Sequence, residues 1–328
     1  MWLVLYFVLL SAIICFSGVK LTKTVDKLSD ETGIGRGFLG VFLLALITSS
    51  PELFATTTAA VIGNTDLSLG NILGSNVFNL TMLFWADVFL LGSVLTKDVS
   101  IKSIASGLGS LLMLGLLGLG MVLAAMNIYM PVLGMPLIDW VLLGTYIFLL
   151  YYTWKKEDDN SAGENQKQDG DVRLLWIKVA VYSAAIIIAG ILISIVCDKI
   201  SHLQVGGVEL GGTLAGSVLL GMATSLPEMS VTISAVRLGA IDMAVGNVFG
   251  SNMFNEIIVF FADLFGKASI LSASLVQVFS VCTIVAMSAV FLIFAVNKSP
   301  RKFFSIGLSS LIIGSMYIGW LFVLYFVR

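Results

Sequence analysis

The sequence predicts an all-α polytopic membrane protein with ten transmembrane helices, arranged as two inverted repeats of five helices each. Three observations predict it. Of the 328 residues, 58% are hydrophobic and 12% are charged, which is about half the charged fraction of an ordinary soluble domain. Apolar stretches long enough to cross a bilayer recur along the chain. Residues 48–79 and 224–255 repeat one another without insertion, at an offset of 176 residues.

A transmembrane helix needs about 20 mostly apolar residues, and the sequence offers ten such candidates. They cover approximately residues 1–18, 35–63, 68–92, 103–125, 131–153, 174–197, 211–238, 243–265, 272–294 and 304–326. Residues 155–173 are strongly polar and are predicted to be a flexible linker. This linker divides the chain into a first repeat at 1–154 and a second repeat at 174–328. The N-terminal stretch lacks the basic flank of a signal peptide and is predicted to be the first helix.

The basic residues predict the orientation of the spans. All but three of the 18 Lys and Arg residues fall in connections on one side of the membrane, and the exceptions are Lys199, Lys267 and Arg328. Because connections rich in Lys and Arg stay in the cytoplasm, we expect the 155–173 linker to be cytoplasmic and both termini to lie outside. Five spans per repeat is an odd number, so the second repeat should enter the membrane upside down relative to the first.

Each copy of the repeat carries a carboxylate directly after a proline, inside an apolar run. Residues 48–52 read T-S-S-P-E and residues 224–228 read T-S-L-P-E, which aligns Glu52 with Glu228. A carboxylate within a membrane span is costly and is by default functional. Each proline removes a backbone N–H and frees a carbonyl in the preceding turn, which a hard cation can satisfy. The candidate carbonyls are those of Ala45, Ile47, Thr48, Gly221, Ala223 and Thr224.

A second motif follows each Pro-Glu pair. It reads G-N-I-L-G-S-N at 70–76 and G-N-V-F-G-S-N at 246–252. The two glycines of each copy are four residues apart, which gives a helix a smooth face for close approach. Neutral oxygens would accompany the carboxylates on Ser49, Ser75, Asn79, Ser225, Ser251 and Asn255. Such a set of oxygens suits Ca²⁺, and the absence of His and Cys disfavours a soft metal.

Two other classes of membrane protein fit the sequence less well. A cation channel usually lines its pore with carboxylates from a ring of subunits, whereas here one chain carries both copies. An intramembrane hydrolase needs a catalytic constellation inside the membrane, but the only histidine, His202, lies in a loop. We therefore expect no enzymatic activity. Asp87 and Asp263 also obey the 176-residue offset, but they fall near span ends and are predicted to be structural.

With these motifs the chain resembles the cation/Ca²⁺ exchanger superfamily, and within it the sodium/calcium exchanger branch with its two α-repeats. The resemblance covers essentially the whole chain. It rests on the doubled T-S-x-P-E and G-S-N-x-x-N patterns, which have the same spacing in both copies. The H⁺/Ca²⁺ exchanger branch usually shows a G-N-x-x-E type of repeat, which this chain lacks. The short linker is similar to that of prokaryotic members, which have no large calcium-sensing domain.

The resemblance implies a role for each motif position. Glu52 and Glu228 would be the central Ca²⁺ ligands, helped by the carbonyls of Thr48 and Thr224. The flanking sodium and shared cation sites would be lined by Ser49, Ser75, Asn79, Ser225, Ser251 and Asn255, and by the carbonyls of Ala45 and Gly221. Some archaeal and K⁺-dependent relatives carry Asp at the position of Asn255, so the asparagine argues against potassium dependence and leaves two carboxylates at the site.

The resemblance implies a secondary active antiporter that exchanges Ca²⁺ for Na⁺ by alternating access, with the first and sixth helices sliding across the other eight. An H⁺/Ca²⁺ or other cation antiporter is the alternative, because carboxyl groups can also carry protons. Ca²⁺ and Na⁺ are expected as transported substrates in a lipid bilayer, with no cofactor, no nucleic acid and no obligate protein partner. The expected location is the inner membrane, with multiple passes and both termini extracellular or periplasmic.

The topology predicts a labelling result. A cysteine introduced at position 160 and another at position 266 should react with a membrane-impermeant thiol reagent from opposite sides of the membrane. Three predicted spans separate the linker from the loop after the eighth span. Because three is an odd number, the two positions should lie on opposite sides of the membrane. Labelling from the same side would contradict the inverted repeat.

Overall fold

The computed structural model describes residues 2–90, 93–128, 130–161, 171–205, 208–209, 222–274, 276–303 and 306–327. It is almost entirely helical. The α-helices are α1 Trp2–Thr32, α2 Arg36–Leu39, α3 Ala45–Thr48, α4 Ser50–Ile62, α5 Thr65–Phe89, α6 Leu95–Asp98, α7 Ile101–Ala125, α8 Leu137–Ser161, α9 Val172–Ser201, α10 Leu226–Arg237, α11 Ile241–Phe265, α12 Val276–Val296 and α13 Leu308–Val327.

Short antiparallel strand pairs close three of the connections between helices. Each strand has two residues, and the pairs are β1 Pro131–Val132 with β2 Met135–Pro136, β3 Gln204–Val205 with β4 Val208–Glu209, and β5 Lys302–Phe303 with β6 Ile306–Gly307. A 3₁₀ turn, Ile270–Ser272, follows α11.

The described residues contain eight helices that are long and apolar enough to cross a membrane, and a bent helix pair makes a ninth. This confirms a polytopic helical membrane fold. The predicted span at 211–238 lies partly outside the described residues, because 210–221 are not described and α10 begins at Leu226. The predicted total of ten helices therefore depends in part on that segment.

The sequence repeat is visible in the helix boundaries. Helices α5 and α11 each have 25 residues, and both their first and last residues are related by the 176-residue offset. They pack against each other and are the most buried of the candidate spans in the described part of the chain. The two copies of the second motif therefore meet at the centre of the molecule.

The first Pro-Glu segment lies at a break in a helix. A π-helical segment, Gly40–Leu44, joins α2 to α3, and the axis then bends by 47° between Thr48 and Ser50. Pro51 cannot donate to the carbonyl of Ile47, four residues earlier, which explains why the helix cannot continue straight. The bend confirms that the proline interrupts this span.

Glycines of the second copy of the motif allow close backbone contact, as predicted, whereas a Cβ on Gly70 or Gly74 of the first copy would meet only the side chains of Gln277 and Trp320. A Cβ atom on Gly246 would lie 2.7 Å from the carbonyl oxygen of Gly37, and one on Gly250 would overlap the backbone of Val41. Helix α11 therefore packs directly on the π-helical segment that precedes the break. This contact sets the distance between α11 and the Glu52 segment.

Helices α1 and α9 form a pair that also contacts the glutamate helices α4 and α10. They pack along one another, with Ile14, Ala189, Ile193 and Cys197 in a small apolar cluster. The first span was predicted to end at residue 18, but α1 continues to Thr32. Its 31 residues span about 46 Å at ~1.5 Å per residue, well beyond a hydrocarbon core of about 30 Å.

Helix also extends into both ends of the predicted linker. α8 ends at Ser161 and α9 begins at Val172, and residues 162–170 lie outside the described residues. At the opposite loop, a Cβ on Gly266 would crowd the carbonyl of Ala262, whereas the neighbouring Lys267 is exposed. Lys267 is therefore the better position for the labelling cysteine.

The glycine packing predicts a stability difference between two similar substitutions. Gly250→Ala should lower the stability of the protein by about 1–3 kcal/mol, the usual range for overpacking a tight contact. Gly144→Ala is the matched control, because a Cβ there would meet nothing within 4 Å and alanine favours a helix. Thermal unfolding of the purified proteins in detergent measures the difference. Equal melting temperatures for the two variants would contradict the proposed backbone contact.

Candidate cation site

The two glutamates occupy equivalent places on two helices. Glu52 lies in the first turn of α4 and Glu228 in the first turn of α10, each directly after a proline. The residue before each helix has nearly the same backbone conformation, with φ −90° and ψ 6° at Ser49 and φ −94° and ψ 15° at Ser225. The repeated sequence therefore produces the same local geometry twice.

Both carboxylates are buried, and a serine links one to the opposite half of the chain. Glu52 is 4% exposed and Glu228 is 2% exposed. The Ser49 hydroxyl donates to Glu228 Oε1 at 3.2 Å. The Oε2 atoms of both glutamates are buried without a hydrogen-bond partner. Each glutamate therefore holds an acceptor oxygen that a cation can bind.

Hydroxyl groups extend this arrangement to α11. The side chains of Thr48 and Ser251 are hydrogen-bonded, with 3.3 Å between their oxygens, and Ser225 is buried at the second break. The carbonyl of Ala45 already accepts from the Ser49 N–H and from the Thr48 hydroxyl. The Ala45 carbonyl, one of the candidates for release by the proline, is therefore already hydrogen-bonded within the helix.

The structure places some of the remaining predicted ligands and not others. Thr224 is a half-buried residue of the helical turn before Ser225. Gly221, predicted to offer a carbonyl, lies outside the described residues. Ser75, on α5, is 8% exposed and lies one turn before Asn79 on the same helix.

Asparagines join the two central helices. Asn79 donates to Asn252 Oδ1 at 3.0 Å, and Asn255 donates to Asn76 Oδ1 at 3.0 Å. All four side chains are buried. The predicted residues Asn79 and Asn255 are therefore brought into one amide network with Asn76 and Asn252, which the sequence analysis did not select.

A third carboxylate, Glu256, also lies in this network. It is fully buried, and its Oε1 accepts from Asn76 Nδ2 at 3.4 Å. The sequence analysis counted two carboxylates at the site because it searched for residues that recur in the repeat, and the residue equivalent to Glu256 is Leu80. An acidic residue within the apolar end of α11 was the signal that would have found it.

A further pair of contacts repeats on the glutamate helices. Asn71 donates to the Thr56 hydroxyl at 2.8 Å, and Asn247 donates to the Thr232 hydroxyl at 3.1 Å. Both pairs obey the 176-residue offset, and they fasten α4 to α5 and α10 to α11. These contacts hold each glutamate helix against the central helix of its own half.

Asp87 and Asp263 are placed as the sequence analysis predicted, in structural roles. Asp87 accepts from the backbone N–H groups of Leu95 and Gly307, both at 2.6 Å. Asp263 accepts from the N–H of Ile270 at 2.7 Å. Each carboxylate thus accepts hydrogen bonds from the backbone where the chain turns after a central helix.

The donor set is made of oxygen atoms. Among the described residues no group of three or more His, Cys, Asp or Glu side chains is placed to hold one metal ion. Glu256 therefore does not join Glu52 and Glu228 in a single cluster of three acids. Carboxylate, hydroxyl and amide oxygens around two separated acidic positions suit hard cations.

Comparison with known proteins agrees with this fold. The family model described as "sodium/calcium exchanger protein" matches residues 2–155 and 178–327. The chain therefore belongs to the sodium/calcium exchanger family, whose members are cation/Ca²⁺ antiporters. The two matched segments together cover both copies of the motif and leave out the polar stretch between them.

Individual relatives are similar over different lengths. The inner membrane protein YrbG of Escherichia coli is 25% identical over 328 residues, covering 96% of this chain and 94% of its own. The sodium/calcium exchanger MaX1 of Methanosarcina acetivorans is 33% identical over 107 residues, covering 32% of this chain and 29% of its own. The solved structure of the exchanger NCX_Mj soaked with 2.5 mM Na⁺ and 1 mM Sr²⁺ aligns with a TM-score of 0.73 and 20% identity over 97% of each chain.

The role of Asp87 predicts a loss of stability without a loss of ion affinity. Asp87→Asn removes a charged acceptor of two backbone hydrogen bonds and should lower the free energy of unfolding by about 1.5–3 kcal/mol. Asp98→Asn is the control, since Asp98 is exposed and accepts from Ser93 only at the surface. Thermal unfolding and Ca²⁺ titration of purified protein provide both measurements. A changed Ca²⁺ affinity at wild-type stability would refute the structural role.

Proposed function

We propose that this protein exchanges Ca²⁺ for Na⁺ by alternating access, with Glu52 and Glu228 as the central ligands. The observation that carries the proposal is the pair of buried carboxylates at equivalent helix breaks, each with a buried oxygen that lacks a hydrogen-bond partner. The Ser49–Glu228 hydrogen bond supports a site shared by the two halves of the chain.

The electrostatics of the pair favour obligatory exchange. Each unpaired buried charge costs several kcal/mol, and a divalent cation between the two carboxylates offsets that cost. The carbonyl end of α3 points into the same break, and the negative end of a half-helix also favours a cation. An empty site retains its charges in a low dielectric, so the carrier should cross only when loaded.

Sodium is proposed as the counter-ion. Several neutral oxygens accompany the carboxylates, on Ser49, Ser75, Ser225, Ser251, Asn79 and Asn255, and small monovalent cations suit such ligands. The names of the relatives MaX1 and NCX_Mj as sodium/calcium exchangers support the same choice. Exchange for protons remains the competing function, because the same carboxyl groups can carry them.

The proposed transport movement is a displacement of α1 and α9 relative to the other helices. The two helices pack on each other, α1 also packs extensively along α10, and α9 contacts α4. Gly18 of α1 faces Ser230 of α10, and Gly190 of α9 faces Pro51 of α4. These close contacts lie one turn or less from the proposed ligands. The Ser230 hydroxyl also donates to the Cys15 carbonyl of α1 at 3.1 Å, so the proposed movement must break this hydrogen bond.

The proposed setting follows from the sequence and from the relatives. We place the protein in the inner membrane as ten helices in two inverted repeats, with residues 155–173 cytoplasmic and both termini outside. The distribution of Lys and Arg supports this orientation, and the name of the relative YrbG supports the inner membrane.

Transport assays on the wild type and two variants test the function. In proteoliposomes, an outward Na⁺ gradient should drive Ca²⁺ uptake, whereas equal K⁺ or pH gradients should not. Glu52→Gln and Glu228→Gln keep the shape of each side chain but remove a charge that Ca²⁺ needs. Each should reduce uptake by about 100-fold or more, since an interaction with a buried charge exceeds about 3 kcal/mol.

The exposed substitution Asp98→Asn should transport at the wild-type rate, and all variants should elute as monodisperse protein. Uptake that follows the pH gradient and ignores Na⁺ would make the protein an H⁺/Ca²⁺ exchanger. Retained Ca²⁺ uptake in both glutamine variants would show that the ions bind elsewhere.

A further inference from the structure

Glu256 is the one ionisable residue of the central network that breaks the repeat. It follows Asn255 on α11, is fully buried, and has Leu80 as its equivalent on α5. A buried charge in the centre of a membrane protein carries a large free-energy cost. Neither the repeat symmetry nor the Glu52–Glu228 pair accounts for its presence.

The hydrogen bonds around Glu256 leave acceptors without donors. The Asn76 amide lies between two partners, since its nitrogen donates to Glu256 Oε1 at 3.4 Å and its oxygen accepts from Asn255 at 3.0 Å. The nitrogens of Asn79 and Asn252 donate to Asn252 Oδ1 and to the Asn76 carbonyl. Every amide nitrogen of the network is therefore bonded to a protein oxygen.

Three buried oxygens of the same network have no hydrogen-bond partner. They are Glu256 Oε2, Asn255 Oδ1 and Asn79 Oδ1. A buried acceptor left without a donor costs about 1–3 kcal/mol, and a charged one costs more. The amide N–H groups of this network are all bonded to protein oxygens, and three of its oxygens have no partner. Such an arrangement is suited to a cation.

The charge of the network selects the kind of cation. The network contains one carboxylate, that of Glu256. Within the described residues this carboxylate does not form a group of three with the glutamate pair that could hold one metal ion. One negative charge with neutral amide oxygens balances a monovalent ion, whereas Ca²⁺ sites usually gather six to eight oxygens from several ligands.

We propose that Glu256, with the free amide oxygens of Asn79 and Asn255, binds an additional Na⁺ ion in a site separate from the Glu52–Glu228 pair. The site exists only in the second half of the chain, because Leu80 has no ligand atom. Glu256 thus supplies a negative charge for Na⁺ one residue after Asn255, which is itself neutral. This inference rests on the proposed Na⁺/Ca²⁺ exchange and assigns one of its ions.

Glu256→Gln tests the assignment, and Glu256→Asp is its charge-matched control. The glutamine keeps an oxygen for Asn76 Nδ2, so the network retains its hydrogen bonds while the charge is lost. In proteoliposomes, Glu256→Gln should raise the half-saturating Na⁺ concentration for Ca²⁺ release by about tenfold or more, as expected for losing a charged ligand. Glu256→Asp should lie nearer to the wild type.

Two further measurements keep the test decisive. Ca²⁺/Ca²⁺ exchange without Na⁺ tests the proposed function separately, because its absence in the wild type would refute that function rather than the Na⁺ site. Equilibrium binding of radioactive Na⁺ to purified protein free of Ca²⁺ should show one Na⁺ fewer in Glu256→Gln.

An unchanged Na⁺ dependence of Ca²⁺ release in Glu256→Gln would overturn the site. A variant that loses only its pH dependence would also overturn it, because Glu256 would then bind a proton. If Glu256→Gln does not fold, Glu256→Ala is measured instead, and unaltered Na⁺ binding in that variant would overturn the site.

Discussion

The central constraint on this structure is that buried oxygen atoms without hydrogen-bond donors must be held inside a membrane protein. Glu52 and Glu228 each hold such an oxygen, and both lie directly after a helix break. The breaks expose backbone groups that lipid cannot satisfy, so the segments must be enclosed by other helices. This explains why α5 and α11 are the most buried candidate spans in the described part of the chain. It also explains the glycine contacts that bring the π-helical segment against α11.

The molecule uses two kinds of packing around this centre. Side-chain hydrogen bonds fasten each glutamate helix to its central neighbour, through Asn71 and Thr56 in one half and through Asn247 and Thr232 in the other. α1 and α9 meet the glutamate helices where Gly18 and Gly190 allow close approach, and the Ser230 hydroxyl of α10 also donates to the Cys15 carbonyl of α1. Specific polar contacts fix relative position, so the proposed movement of α1 must break this hydrogen bond.

Much of this arrangement could be predicted from the sequence because the chain repeats itself. The 176-residue offset identified both proline breaks, both glutamates and the motif asparagines, and α5 and α11 share boundaries at that offset. The length of α1 was underestimated because Lys20 and Lys23 ended the apolar run, although charged residues continue a helix readily once it leaves the membrane. Glu256 was missed for the opposite reason, since Leu80 gave it no repeated partner. The pairing of Asn255 with Asn76 required the three-dimensional crossing of the two helices.

The pair formed by Glu256 and Leu80 also bears on the energetics of the two states of the carrier. If the two halves were identical in sequence, exchanging their conformations would turn an inward-open molecule into an outward-open one of equal free energy. A carboxylate in one half and an apolar side chain at the matching position of the other remove that equivalence. Under the proposed exchange, the two conformations would therefore differ in free energy, by an amount that depends on whether an ion is bound at Glu256. One residue that differs between two otherwise equivalent positions thus makes one of the two proposed conformations the more stable one.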